Sequence, residues 1–173
     1  MADPISIRRL VPDELAQYKT LRDDMLAAHP QAFSSDACEG LARAPESYRS
    51  RLGLERPDGG VFTLGAWNGA RLVGAIGCER DVRVKVRHIG HIVGMMVRDA
   101  AQGRGIGRGL LAGCIDEARR AAGLEMLTLT VTAGNVPAIR LYERFGFVRY
   151  GSLPRAICVE GRYHAKDEMV LVL

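Results

Sequence analysis

Aromatic residues are scarce in this 173-residue sequence, at 6% with a single tryptophan, and its four cysteines form no Cys-x-x-Cys pair. Cys38, Cys78, Cys114 and Cys158 are spread along the chain rather than clustered as in a small secreted scaffold, so they read as reduced and mostly buried thiols. Histidine is as thin. His29, His88, His91 and His164 offer one close pair, His88-x-x-His91, and on an apparent strand positions i and i+3 face opposite sides, so no metal site is expected. No apolar run is long enough to span a bilayer, and residues 1–7 lack the basic and then apolar regions of a secretory leader; no membrane partner and a cytoplasmic location are the expectation. The net charge of +4 comes from scattered positive residues without interleaved aromatics, which argues against a nucleic-acid partner. Linker tracts and internal repeats are missing too. What remains is an ordinary globular balance, 47% hydrophobic and 25% charged, in a chain long enough for one domain spanning residues 1–173.

Periodicity divides the chain into alternating elements. Residues 5–10 read as an edge strand, and Pro12-Asp13-Glu14 opens a helix with apolar positions at Leu15, Tyr18, Leu21, Met25 and Leu26 that His29-Pro30 stops. Residues 36–40 fit no single pattern, and residues 45–54 read as a second short helix. A meander follows: 61–67, the Asn68-Gly69 turn, 71–80, and a third run at 87–97. Ile106, Leu110, Leu111, Cys114, Ile115 and Ala118 recur at helical spacing up to Gly123. Leu127, Leu129 and Val131 alternate with threonines in a strand over 126–132. Asn135 can cap a helix through Phe145, with Pro137 in its first turn and Gly146 as its stop. Residues 147–151 and 157–173 supply the last strands, the latter a hairpin about Gly161. The order is β-α-α-β-β-β-α-β-α-β-β, an α/β chain with one strand-helix-strand crossover.

That crossover carries the most informative stretch, Gln102-Gly103-Arg104-Gly105-Ile106-Gly107-Arg108-Gly109, with a glycine at every second position. A backbone free of Cβ atoms can turn through positive φ and present several N–H groups to an anion, while the following helix aims its positive dipole end there. Arg104 and Arg108 add charge. A nucleoside triphosphatase loop needs Lys-Ser/Thr after its last glycine, and Arg108-Gly109 follows Gly107 instead. The dinucleotide spacing G-x-G-x-x-G fails as well. The loop therefore reads as a phosphate cradle of neither common nucleotide fold, or as a plain turn.

Residues 97–111, Val-Arg-Asp-Ala-Ala-Gln-Gly-Arg-Gly-Ile-Gly-Arg-Gly-Leu-Leu, resemble the Q/R-x-x-G-x-G/A motif of the GNAT superfamily of N-acetyltransferases. Residues 135–147, Asn-Val-Pro-Ala-Ile-Arg-Leu-Tyr-Glu-Arg-Phe-Gly-Phe, resemble that family's N-x-x-A-x-x-L-Y-x-x-x-G-F. The resemblance implies a three-layer acyl-CoA N-acyltransferase fold, with a mixed central sheet of about six or seven strands flanked by helices. It also implies acetyl-CoA as co-substrate and a primary amine as acceptor, with direct transfer between them. The amides of Gly103, Arg104, Gly105, Ile106, Gly107 and Arg108 would hold the pyrophosphate, with Gln102 opening the turn. Met95, Met96 and Val97 would border pantetheine at a bulge that Gly94 eases. Asn135 would bind the cofactor or a water, or cap its helix. Terminal strands in such folds often pair across a dimer, which leaves a homodimer open.

By the same resemblance Tyr142 is the catalytic acid that protonates the departing thiolate; the alternative is an aromatic anchor whose hydroxyl positions the sulfur. An acceptor amine with a lysine-like pKa near 10.4 must lose a proton, and Glu79, His91 and His88 are the candidate bases, Glu79 leading. Family members that acetylate protein N-termini often carry a glutamate where this chain has Thr130. Residues 28–45 and 153–166 are expected to form the acceptor pocket, where Asp36 and Glu39 would favour a cationic amine and Arg155, Arg162 and Lys166 an acidic one. A silent acyl-CoA sensor is the competing function.

Overall fold

β-Branched and apolar alternation builds seven strands in a computed structural model that describes residues 4–173. In chain order the elements are β1 (Ile5–Arg9), α1 (Leu15–Ala28), α2 (Ala37–Leu41), β2 (Phe62–Asn68), β3 (Arg71–Arg80), β4 (Ile89–Val97), α3 (Ile106–Arg120), β5 (Met126–Thr132), α4 (Val136–Arg144), β6 (Val148–Val159) and β7 (Arg162–Val172). They form one mixed sheet ordered β1-β2-β3-β4-β5-β7-β6, in which only β4 and β5 run parallel. Residues 1–3, on which the reading of the leader partly rests, lie outside the described residues. No described helix is long and apolar enough to cross a membrane.

Helices cover both faces of the sheet, so β3 is buried almost throughout rather than alternating. On one face α3 presents Leu110, Leu111 and Cys114, all fully buried, to Leu64, Val73 and Ile76. Each such leucine contributes roughly 1.5–3 kcal/mol relative to exposure. On the other face Leu15, Tyr18, Leu21 and Met25 of α1 meet Trp67, Leu72, Ala75 and Met96. The expected three-layer α/β arrangement is what forms.

Three local expectations change. Residues 45–52 wind as a 3-10 helix, and α2 occupies the stretch that fitted no pattern, with the Asp36 carboxylate accepting from the amides of Cys38 and Glu39 at 2.8 and 3.1 Å. β6 is one strand rather than two short pieces. Proline lacks an amide hydrogen, so Pro154 fits a strand only at an edge or an irregularity, and β6 offers both, since its pairing with β7 shifts between Leu153 and Ile157. Two of the four thiols, Cys38 and Cys158, are exposed rather than buried, while Cys78 and Cys114 sit in the core.

Candidate active site

The parallel pair β4–β5 is joined at only three rungs, Ile89–Met126, Gly90–Leu127 and His91–Thr128. At the last rung the side chains also meet, with His91 Nδ1 2.7 Å from Thr128 Oγ1. Beyond it the strands diverge. β4 carries an extra residue there: Gly77 faces Val93 and Ala75 faces Met96, so Gly94 and Met95 oppose Ile76 alone. Gly94 takes φ +57, the left-handed geometry of a glycine bulge, which bends β4 away from β5. The gap is a cleft of about 1030 Å³, bordered by residues 92–97 on one side and 129–135 on the other.

At the end of β4 the chain makes a short 3-10 turn, Asp99–Ala101, and enters the glycine loop. Gln102 folds back, donating from Nε2 to Asp99 Oδ1 at 3.0 Å and to the Val97 carbonyl at 3.4 Å, which fixes the loop's exit from the strand. Gly103 and Gly105 adopt φ +76 and +74, and a Cβ built on either would meet nothing within 4 Å. That open space lies ahead of the first turn of α3, whose amides have no helical partner. An anionic phosphate fits it. Gly107 lines the cleft, whereas Gly109 lets α3 approach β1, since a Cβ there would lie 2.7 Å from Ile7 Cδ1. The side chains of Arg104 and Arg108 are exposed and form no part of the cleft wall.

α4 brings Tyr142 to the opposite wall. Its hydroxyl donates to the sulfur of Met95 at 3.3 Å, and its ring meets Phe147 edge-on at 5.8 Å. Burial, helped by the neighbouring Cys114 thiol, pushes the phenol up to about 12, so it holds its proton across the neutral range. Asn135 borders the cleft and also caps α4, accepting from the Ala138 amide at 3.4 Å. Met95, Met96, Val97, Gln102, Gly103, Gly105, Ile106, Gly107, Asn135 and Tyr142 are thus brought together around one space.

Glu79 is not. It projects beside the cleft, 46% exposed, with its carboxylate 3.6 Å from Arg51 Nε, and Arg51 is the residue that reaches the wall. His88 belongs to the turn before β4, and His91 is exposed at the joined end of the seam. Of the residues expected at the acceptor end, Asp36 is spent on α2 and Arg155 stacks on Tyr163 at 3.9 Å, while Lys166 lines the cleft. Ser34 and Ser35, within the expected 28–45 segment, stand in the wall, whereas sequence reasoning passed over Arg22 and Arg51, which stand there too. One signal was available: Arg22 interrupts the buried stripe of α1, one turn from Tyr18 and Met25.

A strand splayed at a bulge, a left-handed glycine loop at a helix N-terminus and a buried tyrosine facing the gap together have the architecture of an acyltransferase-type α/β fold. The chain belongs to the acetyltransferase (GNAT) family, whose model matches residues 18–147. A GNAT-family acetyltransferase from Streptococcus pneumoniae superposes with a TM-score of 0.88 at 27% identity, covering 98% of this chain and 100% of that one. The structure of yncA from Salmonella typhimurium, which holds its cofactor acetyl-CoA, shares the fold with a TM-score of 0.80 at 24% identity over 99% of this chain and 95% of that one. Mycothiol acetyltransferase of Salinispora tropica is 29% identical over 154 residues, 88% of this chain and 47% of that protein. The chain spans about half the length of the curated relatives it matches.

Proposed function

We propose that this protein transfers an acetyl group from acetyl-CoA directly to the nitrogen of a primary amine. The observation that carries the reading is the meeting of Tyr142 with the bulge of β4 inside a gap whose mouth is the Gly103–Gly107 loop. Acetyl-CoA supplies an activated thioester. The loop amides and the N-terminus of α3 suit its pyrophosphate, and the unpaired edge of β4 at residues 94–97 suits the amides of pantetheine, which would lie between the diverging strands as a surrogate strand.

A backbone amide near Val97 would polarise the thioester oxygen. The amine nitrogen then forms its bond to the carbonyl carbon, the carbon–sulfur bond breaks, and the sulfur takes a proton. Tyr142 is the donor. Its raised pKa makes it a weak acid, so it first holds the sulfur by a hydrogen bond and releases the proton only as thiolate charge develops. The proton lost by the amine leaves through water in the open cleft rather than onto Glu79, which lies outside the wall. Holding the two reactants in line supplies up to about 7–11 kcal/mol as effective molarity.

Steady release of CoA thiol from acetyl-CoA, followed across a panel of amines with mass-spectrometric detection of the acetylated product, tests this. Turnover on at least one primary amine is expected. Tight acetyl-CoA binding with no turnover on any amine would replace the transferase reading with a sensor.

A further inference from the structure

The acceptor end of the cleft contains buried positive charge without a matching acid. Arg22 on α1 is only 6% exposed, yet among the described residues no carboxylate lies within ion-pair distance of it, and its Nε has no hydrogen-bond partner. It donates from Nη2 to Ser35 Oγ at 2.8 Å. The adjacent Ser34 accepts from Lys166 Nζ at 2.8 Å, and Lys166 too lacks an acidic partner while being 8% exposed. Arg51 has the single carboxylate of this group, that of Glu79, on its outer side. Among the described residues that line the cleft none is Asp or Glu. A buried guanidinium without a counter-charge is costly, and two of them close together repel as well.

These charges converge. Arg22 and Arg51 flank the ring of Tyr48, with their Cζ atoms 5.7 and 5.5 Å from its centre. Tyr18 meets the same ring edge-on at 5.4 Å and accepts from Arg51 Nη1 at 3.2 Å. The point where a Cβ of Gly94 would stand is 3.5 Å from Arg22 Nη1, 3.5 Å from the Tyr18 hydroxyl and 3.6 Å from Arg51 Nη1. The next residue is Met95, whose sulfur receives the Tyr142 hydroxyl. A set of fixed donors suited to a carboxylate therefore stands one residue from the reacting centre, beside backbone that carries no side chain.

We infer that the acceptor is a compact amine bearing a carboxylate, an amino-acid-like molecule whose anionic group docks between Arg22 and Arg51 at Gly94 while its nitrogen faces the thioester. This rests on the transferase reading for the role of the nitrogen, but the anion site can be read by binding alone. Docking would supply Arg22 with the counter-charge it lacks. It would also explain why the wall excludes acids, which would repel such a molecule.

The test pairs each of the common L-amino acids with its own carboxamide, which keeps the amine and side chain and removes the anion. Calorimetric titration into the protein loaded with CoA, and thiol release from acetyl-CoA, are measured on both members of each pair. At least one acid is expected to bind about 10²-fold more tightly than its amide. Arg22→Met and Arg51→Met should abolish that preference, and Arg22→Lys should recover only part of it, since an ammonium cannot form the two-pronged contact. Because Arg22 has no ion pair to break, Arg22→Met should melt no lower than the parent, which separates lost recognition from lost folding. Equal binding of every acid and its amide would overturn the inference while leaving amine acetylation intact. Acid-selective binding without thiol release would keep the anion site and remove the transferase reading. Selectivity that survives Arg22→Met and Arg51→Met would assign the anion to other residues and overturn it as well.

Discussion

The Tyr142 hydroxyl on α4 donates to the Met95 sulfur in the β4 bulge across 3.3 Å, so the helix after the crossover and the strand before it meet at one point within the gap between β4 and β5. Thioether sulfur is a weak acceptor, and a reacting sulfur would compete for the same proton. Tyr142→Phe keeps the buried ring and its edge contact with Phe147 while removing that donor. Turnover should fall by about 10²–10⁴-fold with acetyl-CoA affinity changed little, as read by steady-state thiol release and calorimetry. A fall confined to the KM for acetyl-CoA would make the tyrosine an anchor.

The same hydroxyl has a pH signature. Burial raises its folded-state pKa to about 12, above the ordinary value of 10. The stability it contributes is complete below pH 10 and is lost as pH rises from 10 towards 12, because the unfolded chain releases the proton first. The loss amounts to about 2–3 kcal/mol. Urea unfolding at a series of alkaline pH values should therefore show a steeper decline for the parent than for Tyr142→Phe, the difference between the two curves isolating this group.

How far the sequence was readable depends on whether a feature is local. The helical spacing of Leu110, Leu111 and Cys114 and the alternation of Leu127, Leu129 and Val131 each encode a face, and α3 and β5 form as those patterns require. Asn68-Gly69 encodes a tight turn, and β2 and β3 pair across it. The bulge in β4 was expected through the family resemblance at residues 95–97, and it forms with Gly94 in the left-handed geometry that glycine tolerates. β6 was not, because Pro154 reads as a break and only pairing to β7 carries the strand past it. The Arg22, Arg51 and Tyr18 cluster draws on α1 and the 3-10 segment, and no local pattern brings them to Gly94. Four glycines that look equivalent in sequence divide by tertiary context, two shaping an open loop at the cleft, one standing against Met95 and Leu141 and one admitting Ile7.

Arg80 separates stability from chemistry. Its side chain, 2% exposed, donates to the carbonyls of Asp58, Gly59 and Ala122 at 3.2, 3.4 and 2.8 Å and to that of Arg87, tying three loops to the end of β3. Arg80→Met leaves those acceptors without their donor. A cost of about 3 kcal/mol is expected. That corresponds to roughly 6–12 °C in melting temperature for a domain of this size. The residue is absent from the cleft wall, so kcat/KM measured well below the melting temperature should equal that of the parent.

Glu79 and Arg51 form an ion pair that reaches the cleft wall through Arg51, at 3.6 Å with the carboxylate 46% exposed. A pair this exposed contributes at most about 1 kcal/mol, so its effect on rate through Arg51 should stay within about fivefold. A base that takes the amine proton would instead be worth about 10²–10⁴-fold and would set the acid limb of the pH–rate profile. Glu79→Gln is therefore expected to change the KM for the acceptor by less than about fivefold. It should leave kcat and the acid limb in place, because Arg51 keeps its charge and its contact with Tyr18. Loss of that limb together with a hundredfold fall in kcat would return the proton-accepting role to Glu79 and require its carboxylate to swing from Arg51 into the cleft.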